Sequence, residues 1–288
     1  MKIRDILAQD KVTLSFEVFP PKTSDNYQSV EEATTKIAQL KPDFMSVTYG
    51  AGGGTSEFTV DIASNLYHNY GVNSLAHLTC VSSTKDYVHR VVSRLKEENL
   101  ENILALRGDL PKDRTILEHA EYKYASELIY DLKQLGDFCI GGACYPEGHT
   151  ESNNKEEDIK YLKEKVDAGC EFLTTQMFFD NNIFYNFLYR IREKGITVPV
   201  IAGIMPVTNG KQMKRICELS GTYLPTRFKA IVDKFGDVPN AMRQAGIAYA
   251  TDQIIDLVAN GVRHIHVYSM NKPEVAAGIQ ANLSEIIK

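Results

Sequence analysis

Hydrophobic and polar positions along this chain switch repeatedly between a period of two and the 3.6 of a helix. Short runs rich in β-branched and aromatic residues occupy 13–19, 44–49, 74–80, 103–107, 138–145, 172–179, 198–205 and 264–270. Between them lie stripes with helical spacing. Val88, Val91, Val92 and Leu95 form one, and Ala125, Leu128, Ile129, Leu132 and Leu135 another. Ile159, Leu162, Val166 and Cys170 continue the series, followed by Ile183, Phe184, Phe187, Leu188 and Ile191, then by Ile247, Ile254, Leu257 and Val258. Gly71, Gly136, Gly169, Gly195 and Gly261 each follow a helical stretch and precede a strand, where a left-handed C-cap belongs. This alternation predicts an α/β chain folded as a single (β/α)8 TIM barrel over 1–288, near the ~250 residues typical of that architecture. A doubly wound sheet shares the alternation. It is disfavoured because Gly50-Ala51-Gly52-Gly53-Gly54-Thr55 ends in Thr, so no G-x-G-x-x-G can be read. The stretch 222–239 is the longest irregular segment.

Composition narrows the function classes without naming one. With 43% hydrophobic and 24% charged residues the chain has the make-up of a globular protein. A formal net charge of −5 argues against a general nucleic-acid binder. No apolar run is long enough to cross a bilayer, and the first residues, Met1-Lys2-Ile3-Arg4-Asp5-Ile6, lack a signal-peptide core. The five cysteines are odd in number and form no C-x-x-C, which points to a reducing cytoplasm and away from disulfides or a self-contained zinc site.

Candidate chemistry begins at Ser15-Phe16-Glu17-Val18-Phe19-Pro20-Pro21, a strand with one carboxylate, stopped by two prolines. Two readings stand: an edge strand with Glu17 turned to water, or a buried acid suited to general acid catalysis, because desolvation disfavours a charged carboxyl. A barrel gathers its active site at the C-terminal ends of the strands. Those ends carry Glu17, Thr48, Tyr49, His77 and Thr79, then Arg107 and Asp109. Further on come Tyr145 with His149, Gln176, Met205, and Tyr268 with Asn271 and Lys272. His264 and His266, two apart on one strand, suit a metal site if partners exist elsewhere, or else plain hydrogen bonding within the barrel. His149 with Glu151 offers a similar pair, and 154–165 reads as a solvated helix face.

Six strings in register resemble the methylenetetrahydrofolate reductase family: the Glu17 segment, Val47-Thr48-Tyr49-Gly50-Ala51, Ala76-His77-Leu78-Thr79-Cys80, Leu106-Arg107-Gly108-Asp109, Tyr145-Pro146-Glu147-Gly148-His149 and Thr175-Gln176-Met177-Phe178-Phe179-Asp180. The resemblance runs in order from the first strand to the last and covers essentially the whole chain, and the length is similar to that of the short bacterial form with only the catalytic barrel. The resemblance implies reduction of 5,10-methylenetetrahydrofolate to 5-methyltetrahydrofolate by a flavin, FAD in preference to FMN. The flavin would be reduced by NADH, NADPH or a partner subunit bearing iron–sulfur centres, in methionine synthesis or the methyl branch of acetogenic carbon fixation. By position it implies flavin contacts at Thr48, Tyr49, Ala51, His77, Arg107, Gly108, Asp109, Tyr124, Ala125, Ala143, Tyr145, His149, Asp158 and Lys165. Folate contacts carry over to Glu17, Asp109, Gln176 and Gln212, with Lys272 also near the substrate. Glu17 would open the substrate's five-membered ring by protonating N10, and Asp109 would act beside the flavin.

Lys272 stands where an Arg is expected and keeps the charge without the bidentate fork. Ile216 stands where a bulky aromatic is expected. Two other readings remain beside the flavin enzyme. One is a pterin-binding methyltransferase barrel, which would need the same carboxylate and amide groups but no flavin. The other is a folate-binding subunit that receives electrons only through a partner protein, as a homo- or hetero-oligomer.

Overall fold

The computed structural model describes residues 1–21, 23–49, 56–110 and 113–287, with Ser24, Ser56, Glu57, Arg114, Ile116, Glu118, Gln212 and Lys214 described through their backbone alone. Eight parallel strands close into a barrel in sequence order. They are β1 (Thr13–Val18), β2 (Phe44–Val47), β3 (Ser74–Thr79), β4 (Asn102–Leu106), β5 (Cys139–Cys144), β6 (Phe172–Thr175), β7 (Val200–Ile204) and β8 (His264–Tyr268). Every expected strand is present, so the chain is a (β/α)8 barrel. Several strands stop short of their expected C-terminal ends. The largest difference is at β6, where 176–179 leave the ladder. There Gln253 donates to the Phe178 carbonyl and Tyr249 to that of Phe179, so side chains satisfy the freed backbone.

The alternation along each strand separates two apolar layers. Leu14, Phe16, Val18, Met45, Val47, Leu78, Ile103 and Val267 join the main core between sheet and helices. Phe44, Leu75, Leu104, Cys139, Phe172 and Ile201 fill the lower barrel. Helix α1 (Ile3–Leu7) closes that end by adding Ile3, Ile6 and Leu7 to the same cluster. Gly141 makes room there, since a Cβ on it would lie 2.4 Å from the Phe172 ring. At five residues the plug is too short to show a helical period of its own in the sequence.

The striped helices form as expected: α4 (Lys85–Glu97), α5 (Ala125–Leu135), α6 (Lys155–Asp167), α7 (Asn181–Glu193) and α10 (Pro239–Ala259). The other helices of the ring are α2 (Tyr27–Ala38), α3 (Ser56–Tyr70), α8 (Met213–Ser220), α9 (Thr226–Phe235) and α11 (Pro273–Leu283). Two expectations need correction. Gly136 is extended at φ 171°, unlike Gly71, Gly169, Gly195 and Gly261, which have positive φ of 65° to 117°. The Lys96 ammonium takes the Leu135 carbonyl, so a left-handed turn is not needed to satisfy that helix end. The stretch 222–239 is not irregular, because α9 occupies most of it and buries Phe228 beside Phe179 and Met242. Among the described residues no helix is long and apolar enough to cross a membrane.

Candidate active site

β1 is not the apolar strand with one acid that its composition suggests. Thr13, Ser15 and Glu17 alternate with Leu14, Phe16 and Val18, and all six are buried. The apolar set joins the outer core, so the polar set lines the barrel interior. β8 repeats the pattern, with His264, His266 and Tyr268 alternating with Ile265 and Val267. Register pairs Ser15 with His266, and Glu17 with both Ser46 and Tyr268. This rules out the edge-strand reading of Glu17, since the barrel has no edge and the residue is 8% exposed.

The result is a buried polar strip. The Ser15 hydroxyl donates to the Ile265 carbonyl at 3.0 Å and lies 2.7 Å from His266 Nδ1. A hydroxyl has one hydrogen, so Nδ1 must be the donor in that second contact, which fixes the neutral ring as its Nδ1–H tautomer. His266 Nε2 then faces Ser46 Oγ at 3.0 Å, and Ser46 Oγ lies 3.4 Å from Glu17 Oε2. His77 Nε2 stands 3.6 Å from the same carboxylate oxygen, too far for a hydrogen bond. It is a buried nitrogen without a hydrogen-bond partner. Burial pushes the His77 ring down to about 4, against the pull of Glu17 and with the push of His266. Ser269 and Asn271 fix the exit of β1: the Ser269 hydroxyl donates to the Glu17 carbonyl, and Asn271 exchanges two hydrogen bonds with the Phe19 backbone.

Beside this strip, over the ends of β3 to β6, lies a cavity of about 1140 Å3. Tyr49, Arg107, Gly108 and Asp109 line one part of it. Tyr124, Ala125, Ala143, Tyr145, His149, Asp158 and Lys165 line the rest. Arg107 is held bidentately by Glu151, both contacts at 2.7 Å. Lys165, at the buried side, donates to the Ala143 carbonyl at 2.6 Å, and burial lowers its ammonium below the usual range. Asp158 accepts from the Ser152 hydroxyl, and burial raises its carboxyl above the usual range. Gly108 has φ +87°, and a Cβ there would lie 2.9 Å from Val81, so the backbone approaches the cavity floor closely. His149 accepts from the Glu151 N–H and packs edge-on against Tyr145.

Most of the residues singled out in sequence therefore meet, in two groups. Glu17 and His77 belong to the strip, and the cavity takes the others just named. Thr48 leaves the end of β2, its N–H bonded to the Val18 carbonyl, without lining the cavity. Gln176 and Lys272 stand on the rim outside the cavity walls; Gln176 accepts from the Met177 N–H, and Lys272 donates to the Thr208 hydroxyl. Ala51 lies outside the described residues, as does the Gln212 side chain. Ile216 packs partly buried against the cluster of Met177, Met213 and Phe228. Neither histidine pair completes a metal site among the described residues. His264 bonds the Thr13 hydroxyl and His266 the two serines. Ser15, Ser46 and Tyr161 carry no mark of a site role in the sequence beyond the period-two polar alternation of β1 and β8, and Glu151, expected as a metal partner of His149, instead holds Arg107.

A closed parallel barrel with a buried acid at its strand ends and a large cation-edged cavity beside it has the architecture of a TIM-barrel enzyme. Residues 2–284 match the family described as Methylenetetrahydrofolate reductase, and the chain belongs to that family. It is 35% identical to the 5,10-methylenetetrahydrofolate reductase of Escherichia coli (strain K12) over 271 residues, covering 94% of this chain and 90% of the relative. It is 33% identical to Methylenetetrahydrofolate reductase (NADH) 1 of Arabidopsis thaliana over 298 residues, covering 99% of this chain but 50% of the relative. The chain thus spans about half the length of the plant relatives it matches. A solved structure described as an uncharacterized protein from Clostridium thermocellum that binds two copies of 5-methyl-5,6,7,8-tetrahydrofolic acid shares the fold, with a TM-score of 0.68 at 16% identity and 99% coverage of both chains.

Proposed function

We propose that this chain reduces 5,10-methylenetetrahydrofolate to 5-methyltetrahydrofolate with a bound flavin, and that Glu17 is the general acid that opens the substrate ring at N10. The observation that carries the proposal is the placement of Glu17. It is a carboxyl buried at the top of a sealed barrel, wired to a histidine and standing beside a cavity large enough for a cofactor. Family membership supplies the substrate class.

The residues present fit a flavin. The cavity exceeds the roughly 300–1,000 Å3 usual for small-molecule sites. Its edge carries the guanidinium of Arg107 for a phosphate, Lys165 and Asp158 stand deeper, and Gly108 lets the backbone come close. His77 Nε2, buried and unpartnered, is a polar group that a ligand over the strand ends would satisfy. Tyr49, Ala125, Ala143, Tyr145 and His149 complete the set that would hold it. Bound there, a flavin supplies a hydride to the methylene carbon exposed by ring opening, with NADH or NADPH as its reductant.

The protein's own part is proton placement and orientation. When Glu17 carries a proton it can donate to Ser46 Oγ, and the Ser46 hydrogen then points to His266 Nε2. When His266 carries the extra proton at Nε2, the same bonds reverse and Ser46 donates to Glu17. One proton can therefore rest at either end of the wire, and Glu17 can be reprotonated without opening the strip to water. Asp109, exposed on the rim, and the Gln176 amide suit the donor and acceptor edge of a pterin, and Lys272 suits an anionic substrate tail.

Anaerobic mixing tests this reading. The purified chain should be yellow, NADH or NADPH should bleach the flavin, and methylenetetrahydrofolate should restore the colour with formation of methyltetrahydrofolate. A colourless protein that binds folate without reducing it would overturn the proposal. Bleaching by an artificial donor alone would assign the electrons to a partner subunit.

A further inference from the structure

The loop that follows β5 has two faces. Tyr145 and His149 line the cavity and pack edge-on, with ring centroids 4.6 Å apart. Between them the chain makes a tight turn. The Gly148 N–H donates to the Tyr145 carbonyl at 3.0 Å, Pro146 takes the second position, and Gly148 has φ +91°. The proline ring fixes its own φ, so the turn is a stiff mount for the residue that follows it. That residue is Glu147, which is not among those lining the cavity. Its two carboxylate oxygens lie 3.0 and 2.9 Å from the backbone nitrogen of Tyr223, 76 positions away and just beyond the end of α8.

α8 is held along its inner face and near both ends. Just ahead of it Gly210 packs on Gly236, and a Cβ on Gly210 would lie 2.4 Å from the Gly236 Cα. Met213, Ile216 and Cys217 pack against Met177, Phe179 and Phe228. After its last residue Gly221 turns the chain with φ +69°, and a Cβ there would lie 2.9 Å from the Thr150 methyl. The loop after β5 thus meets the end of α8 at two places, Gly221 and Tyr223. Thr222, between them and buried, donates to the Met177 carbonyl at 3.4 Å, and the Met177 N–H donates to Gln176 Oε1 at 3.0 Å. The Gln176 N–H in turn donates to the Cys144 carbonyl of β5 at 2.8 Å. A closed path of contacts therefore runs from Glu147 through the end of α8 to Gln176, and back to the strand that bears Glu147.

Resting on the function proposed above, we propose that Glu147 is a positioning residue that clamps the end of α8 to the loop after β5 and so sets the affinity for the folate substrate. It acts through Gln176 and through the face of α8 that bears Ile216, and touches neither substrate nor flavin. Proton donation belongs to the buried strip on the other side of the barrel mouth, so the clamp governs folate binding and leaves the limiting rate of reduction alone. The donor in the clamp is a backbone N–H, which every residue but proline supplies. Its variable member is the carboxylate.

Rapid mixing of flavin-reduced protein with methylenetetrahydrofolate separates the apparent Kd of the substrate from the limiting rate of the half-reaction. Glu147→Ala should raise that Kd by roughly five- to twentyfold, with the limiting rate and the flavin affinity each within about twofold of wild type. Glu147→Gln keeps an acceptor for the Tyr223 N–H and should hold the Kd within about threefold of wild type. Tyr223→Ala keeps the donor and should hold it within about twofold. Hydrogen exchange of flavin-free protein reads the clamp without turnover. Protection of the amide at position 223 should fall by roughly tenfold in Glu147→Ala and stay within about twofold in Tyr223→Ala. If Glu147→Ala leaves the folate Kd unchanged, or impairs the limiting rate or the flavin affinity as much as it weakens folate, this proposal falls and the flavin reading stands. If the wild type neither binds nor reduces methylenetetrahydrofolate, both fall together.

Discussion

Below the ends of β1, β2, β3 and β8, five polar side chains (Ser15, Glu17, Ser46, His77 and His266) are packed inside the barrel at 0–8% exposure. Over β3 to β6, by contrast, Arg107, Asp109, Tyr124 and Glu151 stand on the walls of an open cavity. The strip holds His266 by short contacts to Ser15 and Ser46 in a space closed from beneath by α1, so its members have little freedom to reorient. The cavity offers charges that are already paired, as Arg107 is with Glu151, and that can exchange partners for a ligand. Proton transfer needs atoms held within hydrogen-bond reach, whereas holding a long cofactor needs many separate contacts along its length. Under the proposed function, the two regions would answer these different demands within one rim.

Substitutions can separate the regions. The largest effect is expected from Glu17→Gln, which should lower folate turnover by about 10²–10⁴-fold while flavin bleaching by NADH continues at its normal rate. Stopped-flow recording of the two half-reactions checks this, and normal folate turnover would remove Glu17 from its role.

His77 allows the strip to be read through stability. Its ring is pushed from 6.5 down to about 4 by burial, so the folded state binds fewer protons than the unfolded chain between those values. Stability is therefore fully present above about pH 6.5 and is lost as pH falls toward 4, by about 3 kcal/mol. His77→Gln should flatten that part of a denaturation-versus-pH curve. His264, also pushed down to about 4 by burial, should leave a residual slope.

Arg107→Ala belongs to the other region. It should weaken flavin binding by roughly tenfold, seen as loss of flavin on dilution, and leave the folate half-reaction of the loaded protein nearly intact. The smallest effect is expected from Ser46→Ala, which removes the hydroxyl between His266 and Glu17. Losing one such hydrogen bond should slow the folate half-reaction by about three- to tenfold with flavin affinity unchanged. If Ser46→Ala instead released flavin, the division between strip and cavity would fail.

The legibility of each region follows from the range of the interactions that build it. Cavity residues such as Arg107, Asp109 and Tyr145 sit at or just beyond strand ends, so strand order alone assigned them to one rim. Glu17 was legible as an odd acid in a strand, but its partners were not. Ser46 and His266 are 29 and 249 positions away, and only the register of β1 against β2 and β8 brings them to it. Tyr161 looked like one more polar position on a solvated helix, because nothing local to α6 reveals the ring of Tyr124 across from it.

Periodicity by itself determined that eight strands and their helices alternate, hence the barrel and the side on which its site lies, because spacing along the chain dictates which face of each element is apolar. It could not determine which polar face meets which, since a closed barrel joins β1 to β8 across nearly the whole chain. Only the tertiary structure decided that the alternating polar residues of β1 and β8 turn inward and meet in a buried hydrogen-bonded strip. The outer face was already committed to the helices, and the interior was the remaining place for them. The plug of α1 and the spacing of the two tyrosines were decided in the same way, by contacts between segments that carry no mark of one another in sequence.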